Sequence, residues 1–402
     1  MIVQYWDKSL NIGIFIGAFW VIFTLMNLLP VSLYGEFEFW FAGIKVFTIL
    51  GFMVFAICVD VGVGQQGYLG FRYWVDPGPF APYLIDSTGS AAKFVGFWAV
   101  LIQAAFSYQG AELVGIGAGE AVNPRKSVPM AIRKTFYRIL FLFCFTVFFI
   151  GLLVPYDCPD LLSDAEDATA SPFVIAAKLA GIKVLPGLIN AVLLTAVLSA
   201  ANSDTYCGSR IVVGLCQEGF APKFFSKASK RGVPYNSVGL TAAVGLLGFL
   251  NLSEDGTNAF NWLLNITTVA GLISWACINL CHIYFMRALS ARNIPRTTLP
   301  YQAPGQPYLA YYGLCVTVLV ILTQGFTAFI PWNIREFFVA YVSLILFIVM
   351  FAVHKLVYRT NVVESLDADL DTGRKEVDAM VFEDEEGKEA PRNWLAKAWK
   401  WL

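Results

Sequence analysis

The chain has 402 residues, of which 57% are hydrophobic and only 14% are charged, and its formal net charge is −1. A soluble domain carries about 25% charged residues, and soluble cores of this size cannot enclose 34 phenylalanines and 11 tryptophans. The composition therefore excludes an ordinary soluble protein and predicts an all-α polytopic membrane protein. A net charge near zero gives no overall basic field, so no nucleic-acid partner is expected.

Nine stretches are long and apolar enough to cross a bilayer, which requires about 20 mostly apolar residues. These predicted spans are residues 11–34, 38–59, 93–119, 134–155, 183–206, 235–252, 259–285, 308–330 and 335–357. They define a membrane domain over residues 1–357. The remaining residues, 358–402, include 11 acidic and 7 basic residues, a composition that cannot bury a core and predicts a largely disordered tail.

The orientation follows from the distribution of Lys and Arg, which favour cytoplasmic loops. Loops that hold three to five basic residues alternate with loops that hold at most one: 120–138, 207–236 and 286–306 against 60–92, 156–172 and 251–258. The basic set is predicted to face the cytoplasm. The last span then ends on the cytoplasmic side, so a cytoplasmic C-terminus is expected.

The most informative span is 93–119, because polar and small residues interrupt its middle. The interruption consists of Ser107, Tyr108, Gln109, Gly110, Ala111 and Glu112. This pattern predicts a locally unwound helix, which is tolerated at that depth only where it is buried in protein or lines a cavity. The alternative is close packing of helices through small residues. We favour the unwound helix because packing alone does not require the carboxylate of Glu112.

Lys45 lies about a third of the way into the span 38–59. Its ammonium group either extends toward the membrane interface or points into the helix bundle as a functional cation. A second weak signal is the polar helix end from Ser199 to Tyr206. Motifs for nucleotide binding, zinc proteases and serine hydrolases are absent from the sequence, and the eight cysteines have no zinc spacing. Neither an enzyme nor a cofactor or metal is predicted.

A family resemblance is carried by the run from Phe106 to Glu120 and by the following residues, Ala121 to Pro129. They resemble the sixth helix and next cytoplasmic loop of the fungal general amino-acid permeases, which belong to the amino acid–polyamine–organocation superfamily. Further stretches agree with this resemblance: 34–41, 199–210, 230–235 and 369–378.

The resemblance implies a fold of twelve helices, built as two inverted five-helix repeats plus two more. The nine spans would be helices four to twelve, and so a partial inverted-repeat transporter fold. In such a protein the residues Ser107–Glu112 would bind the amino group and side chain of the substrate. Lys45 would take the place of a sodium ion found in other relatives, so Lys45 and Glu112 are the candidate coupling residues.

The function implied is a secondary active permease that imports amino acids with protons across the plasma membrane. Besides the amino acid, the proton and the lipid bilayer, the resemblance implies ubiquitin-ligase machinery as a partner of the tail, with Lys375 and Lys388 as candidate acceptors. An amino-acid sensor on the same scaffold and a non-functional truncated permease are the alternatives. A polyamine or choline carrier is an alternative at the level of substrate.

The predicted orientation places Met1 outside the membrane, although the first ten residues contain neither a basic region nor an apolar region of a signal peptide. The first three helices implied by the resemblance also have no counterpart in the sequence. We therefore expect the chain to be an incomplete form of its gene product, lacking three spans and roughly 120–200 residues.

Overall fold

The structure is a computed structural model that describes residues 11–85, 89–121, 123–161, 171–252 and 256–372, with only the backbone of Gly119, Glu120 and Thr257. These residues form thirteen α-helices and no β-strand. The helices are α1 Ile12–Asn27, α2 Val31–Asp60, α3 Arg72–Val75, α4 Ser90–Ala99, α5 Leu101–Tyr108, α6 Leu113–Ile116, α7 Pro124–Leu153, α8 Pro172–Leu179, α9 Leu185–Gln217, α10 Tyr235–Gly245, α11 Gly256–Ala291, α12 Tyr308–Thr323 and α13 Ile334–Tyr358. The prediction of an all-α polytopic membrane protein is confirmed.

Among the described residues, eight helical segments are long and apolar enough to cross a membrane. Each corresponds to one of the nine predicted spans, and some are completed by a 3₁₀ turn, such as Leu246–Leu252 after α10. The one predicted span without such a segment is the first, 11–34, which contains α1, a helix of 16 residues. At 1.5 Å per residue α1 is about 24 Å long, shorter than the hydrocarbon core of a bilayer, which is about 30 Å thick.

The first two spans differ from the prediction because the break between them lies at Pro30. Proline has no backbone N–H to continue a helix and restricts the residue before it. Accordingly α1 ends at Asn27, and Pro30 is the N-cap of α2. Helix α2 thus begins seven residues earlier than the predicted span 38–59, and Glu38 lies inside this helix rather than at its edge.

The described chain divides into two compact units, one from residues 11–81 and 135–257 and the other from 82–134 and 258–372. In the first unit α9 is the central helix, because α1, α2, α8 and α10 all pack against it. Small side chains such as Ser199 and Ser209 are fully buried along α9, which allows close approach of its neighbours. A separate apolar cluster joins Phe52 of α2 to Leu153 of α7 and Ile175 of α8.

The second unit has its own apolar core, in which α5, α11 and α12 meet. Ile102 of α5 is buried against Val269 and Ile273 of α11 and against Val320 of α12. Trp98 of α4 adds an indole hydrogen bond of 2.9 Å to the hydroxyl of Thr323. This core supports the chain on the N-terminal side of the predicted unwound segment.

Large apolar side chains cover much of the outer surface of both units. On α13, six consecutive residues from Leu346 to Phe351 are all exposed. A continuous apolar surface of this kind is unfavourable in water and favourable against hydrocarbon. It agrees with an integral membrane protein whose spans contact lipid.

The first part of the predicted tail contacts the end of α11. The guanidinium group of Arg292 donates hydrogen bonds to the carbonyl oxygens of Leu366, at 2.8 and 3.0 Å, and of Ala368, at 2.5 Å. Hydrogen bonds from the Thr372 hydroxyl and from two backbone N–H groups lower the pKa of Asp369 to about 2. The carboxylate is therefore ionised at neutral pH and holds the turn 369–372. The candidate lysines 375 and 388 lie outside the described residues.

Candidate functional site

The predicted interruption of the span 93–119 is a break in the helix. Helix α5 ends at Tyr108, and α6 begins at Leu113. Between them Gln109 has extended backbone angles (φ −61°, ψ 148°), and Gly110 has φ +99°. The left-handed region is open to glycine and costly for residues with a Cβ atom, so Gly110 allows the chain to turn here. The break releases backbone groups from the i→i+4 pattern of the helix.

The carboxylate of Glu112 stabilises this turn from inside. Its Oε2 atom accepts a hydrogen bond of 3.1 Å from the backbone N–H of Gly110 and another of 3.1 Å from the indole N–H of Trp275 on α11. Hydrogen bonds to a charged acceptor are stronger than those between neutral groups. Glu112 is half-buried and ties the break in one helix to a second helix of the same unit.

Gln109 forms a second link between the break and α11. Its side-chain amide donates a hydrogen bond of 2.9 Å to the backbone carbonyl of Thr268. The amide can approach this closely because residue 271 is glycine: a Cβ atom at Gly271 would lie 2.0 Å from Gln109 Nε2. The absence of a side chain at Gly271 is therefore required for the observed position of Gln109.

We expect Gly271→Ala to displace Gln109 from the Thr268 carbonyl and to disturb the break. Overpacking of this kind costs about 1–3 kcal/mol, so the variant is expected to melt at a lower temperature in detergent. The matched control is Gly239→Ala on α10, where a Cβ atom would meet nothing within 4 Å. An equal melting temperature for Gly271→Ala and Gly239→Ala would contradict the close contact.

The first unit contains a polar network around Lys45. The ammonium group of Lys45 donates a hydrogen bond of 2.7 Å to the hydroxyl of Ser199 on α9, and this hydroxyl donates one of 2.7 Å to Oε1 of Glu38. The distance from Lys45 Nζ to Glu38 Oε1 is 3.6 Å. Because the network includes the fully buried Ser199, the side chain of Lys45 points toward α9 inside the helix bundle.

Glu38 and Lys45 lie on the same face of α2, since seven residues correspond to about two helical turns. Their side chains are 28% and 30% exposed, respectively. The second carboxylate oxygen of Glu38, Oε2, is buried and has no hydrogen-bond partner among the described residues. The pair thus retains one acceptor atom that could bind a proton or water.

The same interface between α2 and α9 continues one turn further along each helix. Tyr34 donates a hydrogen bond of 3.1 Å to Ser203, and its ring stacks on Tyr206 with centroids 4.1 Å apart. The guanidinium carbon of Arg210 lies 4.0 Å from the centroid of the Tyr206 ring. The weak signal from Ser199 to Tyr206 in the sequence therefore marks the face of α9 that contacts α2.

The sequence did not identify two partners of the candidate residues, Trp275 and Glu38. A single chain gives no signal for Trp275, which is one of many aromatic residues in its span. The spacing of seven residues between Glu38 and Lys45 could have indicated that the two side chains share one face of a helix. Because the predicted span began at Glu38, this residue was placed at the edge of the span. Other polar residues of α11, such as Thr267 and Ser274, donate hydrogen bonds to carbonyls of their own helix, as isolated hydroxyl groups in helices often do.

These features define the class of the protein as a polytopic integral membrane protein with polar, partly buried sites inside apolar spans. Such sites are costly in a membrane and are typical of secondary transporters. Comparison with known sequences leads to the same class. The family model described as amino acid permease matches residues 1–366, and the chain belongs to this family.

Curated relatives agree over nearly the whole chain. The lysine-specific permease of Saccharomyces cerevisiae is 46% identical over 399 residues, which are 99% of this chain and 65% of the relative. The basic amino-acid permease of the same yeast is 45% identical over 96% of this chain and 68% of its own length. The proline-specific permease of Emericella nidulans is 38% identical over the full chain and 74% of its own length.

The chain thus spans about two thirds of the length of the first of these relatives. The resemblance predicted from residues 106–129 is confirmed by the family match and by these identities. Both the family model and these relatives are described as permeases, which are transporters.

Proposed function

We propose that the protein is a secondary active amino-acid permease that imports amino acids together with protons across the plasma membrane. The observation that carries this proposal is the helix break at Gln109–Glu112, inside an apolar span of a chain that belongs to the amino acid permease family. Broken helices of this kind form substrate sites in secondary transporters. The names of the relatives make lysine and arginine the first substrates to test.

In this proposal the substrate binds along Ser107, Tyr108, Gln109, Gly110, Ala111 and Glu112. The C-terminal end of a helix carries a partial negative charge and unpaired carbonyl oxygens, so the end of α5 at Tyr108 suits the ammonium group of an amino acid. Ser107, Tyr108 and Ala111 are exposed at the break. Gln109 and Glu112 maintain the shape of the break through their hydrogen bonds with α11.

Proton coupling is assigned to two groups of residues. One is Glu112 at the helix break, and the other is the network of Lys45, Ser199 and Glu38. The ammonium group of Lys45 supplies a cation at a position where the family resemblance implies a sodium ion in other transporters. Protonation of Glu38 would weaken its attraction to Lys45 and with it the link between α2 and α9. Binding of a proton would then be coupled to movement of one helix against the other, as alternating access requires.

The proposed topology has a membrane domain over residues 1–357 and a cytoplasmic tail over 358–402. It is supported by the alternation of basic and non-basic loops and by α13, which ends at Tyr358. Anionic lipid in the cytoplasmic leaflet also favours basic loops on that side.

Uptake of labelled amino acids tests the proposal. The full-length gene, with any coding sequence upstream of this chain, is expressed in yeast cells that lack their own amino-acid permeases, and uptake of lysine, arginine, proline and glutamate is compared at several external pH values. Accumulation above the external concentration that collapses with a protonophore is the expected result. Binding of an amino acid without accumulation would contradict transport and favour a sensor.

The acidic tail with its lysines suits regulated removal from the membrane by a ubiquitin ligase, as the family resemblance implies. We expect Lys375→Arg combined with Lys388→Arg to lengthen the surface half-life severalfold after addition of excess amino acid, since arginine keeps the charge but cannot accept ubiquitin. Surface labelling followed over time is the measurement. Lys183→Arg, beside the acidic loop 156–172 that is predicted to be external, is the control, and an equal half-life for both variants would contradict the assignment.

A further inference from the structure

An open cavity of about 650 Å³ lies in the second unit, beside the N-terminal end of α7 and the C-terminal end of α11. It is separate from the contacts at the helix break, since its wall on α11 begins at Ile278, about one turn beyond Trp275. The proposed transport cycle uses none of its charged residues.

The charged side chains among the described lining residues have one sign. Arg125 from the first turn of α7 and Arg296 from the loop after α11 both line the cavity, together with His282. No aspartate or glutamate occurs among the described lining residues. Both arginines belong to segments rich in basic residues, 120–138 and 286–306, which are predicted to face the cytoplasm.

The rest of the wall is mainly apolar, with contributions from Val128, Ile132, Ile278, Phe285 and Leu299. A small soluble anion such as phosphate would gain little from this surface. A ligand that complements both parts of the cavity has an anionic group at one end and hydrocarbon at the other, which is the chemistry of a phospholipid.

Polar atoms in the wall also have unused hydrogen-bonding capacity. Nε2 of His282, Nε of Arg296 and Oε1 of Gln306 are buried without a partner among the described residues. Through Nη2, the guanidinium group of Arg296 donates a hydrogen bond of 3.1 Å to the carbonyl oxygen of Ala303. Unsatisfied polar groups cost free energy and often indicate a missing partner.

We propose that this cavity binds an anionic phospholipid of the cytoplasmic leaflet, with its phosphate and headgroup carboxylate near Arg125 and Arg296 and an acyl chain along Ile278 and Phe285. Cationic pockets between helices on the cytoplasmic side are suited to such headgroups. The lipid would join the start of α7 to the end of α11, two segments that meet at the cavity. This inference does not depend on the protein being a transporter.

The test uses the whole chain purified in a neutral detergent, with melting temperature as the measurement. Phosphatidylserine is expected to raise the melting temperature by roughly 3–6 °C relative to the same amount of phosphatidylcholine. Arg296→Gln should lose most of this difference, and Lys230→Gln, in a basic loop of the other unit, should keep it. Because Arg296→Gln also changes a loop contact, Ile278→Trp is the second variant: it fills the cavity, keeps every charge and should reduce the difference as well.

Two outcomes would overturn the proposal. Equal stabilisation by phosphatidylserine and phosphatidylcholine would show that the headgroup charge is not recognised. Equal stabilisation by inorganic phosphate would show a site for a soluble anion instead of a lipid.

Discussion

Replacement of Lys45 by alanine is expected to abolish net accumulation of amino acid while the protein still reaches the membrane. The substitution removes the cation that bonds to Ser199 and lies 3.6 Å from Glu38, and it leaves the Glu38 carboxylate without its counter-ion. Removal of one partner of a fully buried ion pair costs about 3–5 kcal/mol. Both side chains here are nearly one third exposed, and solvent screening weakens such a pair. We therefore expect the free energy of unfolding to fall by about 1–3 kcal/mol and uptake to fall more than tenfold.

The measurement is accumulation of labelled lysine at a fixed proton gradient, compared with surface expression. Lys183→Ala, an exposed lysine of the same unit, is the matched control and should leave uptake unchanged. Replacement of sodium by choline in the medium should also leave uptake unchanged, because a fixed ammonium group makes a sodium ion at this position unnecessary. Sodium-dependent uptake by the unaltered protein would contradict the role of Lys45.

A double variant separates charge balance from coupling. Glu38→Gln with Lys45→Met removes both charges, so its melting temperature should exceed that of Lys45→Met alone, because no uncompensated carboxylate remains. Accumulation should nevertheless stay low, since the group that takes up the proton is gone. Recovery of full accumulation in the double variant would show that the pair of Glu38 and Lys45 has only a structural role.

The helical architecture was predictable because hydrocarbon sets a simple requirement, a run of apolar residues of sufficient length. Eight predicted spans correspond to helical segments of that kind. The bounds were less predictable where local chemistry decides them: Pro30 divides α1 from α2, and α2 begins at Val31, seven residues before the predicted span 38–59. The inverted-repeat arrangement stays a prediction from the resemblance.

The break at Gln109–Glu112 was predictable for a different reason. Glycines and polar residues in the middle of an apolar run are costly unless they serve a local structure, and Gly110 with its positive φ is such a case. Long-range partners were not predictable, because the hydrogen bonds from Gln109 to Thr268 and from Trp275 to Glu112 join residues about 160 positions apart. Nothing in either segment alone specifies its partner.

The expected effects at Glu112 differ between two substitutions. Glu112→Ala removes the acceptor of both the Gly110 N–H and the Trp275 indole N–H, so we expect the break to lose its shape and uptake to fall about a hundredfold or more. Each lost hydrogen bond to a charged group is worth about 1.5–3 kcal/mol, and about 1.4 kcal/mol corresponds to a factor of ten. Glu112→Gln keeps an acceptor oxygen and nearly the same volume, so uptake should persist but with an altered dependence on external pH.

Initial rates of lysine uptake across a range of pH values distinguish these roles, with Trp275→Phe as the partner variant. Trp275→Phe keeps the hydrogen bond from the Gly110 N–H to Glu112, so we expect the uptake rate to fall only about tenfold. Trp98→Phe is its matched control, because it removes an indole hydrogen bond of similar length between other helices of the same unit. An unchanged pH profile in Glu112→Gln, together with equal effects of the two tryptophan variants, would mean that Glu112 neither takes part in coupling nor fixes the geometry of the break.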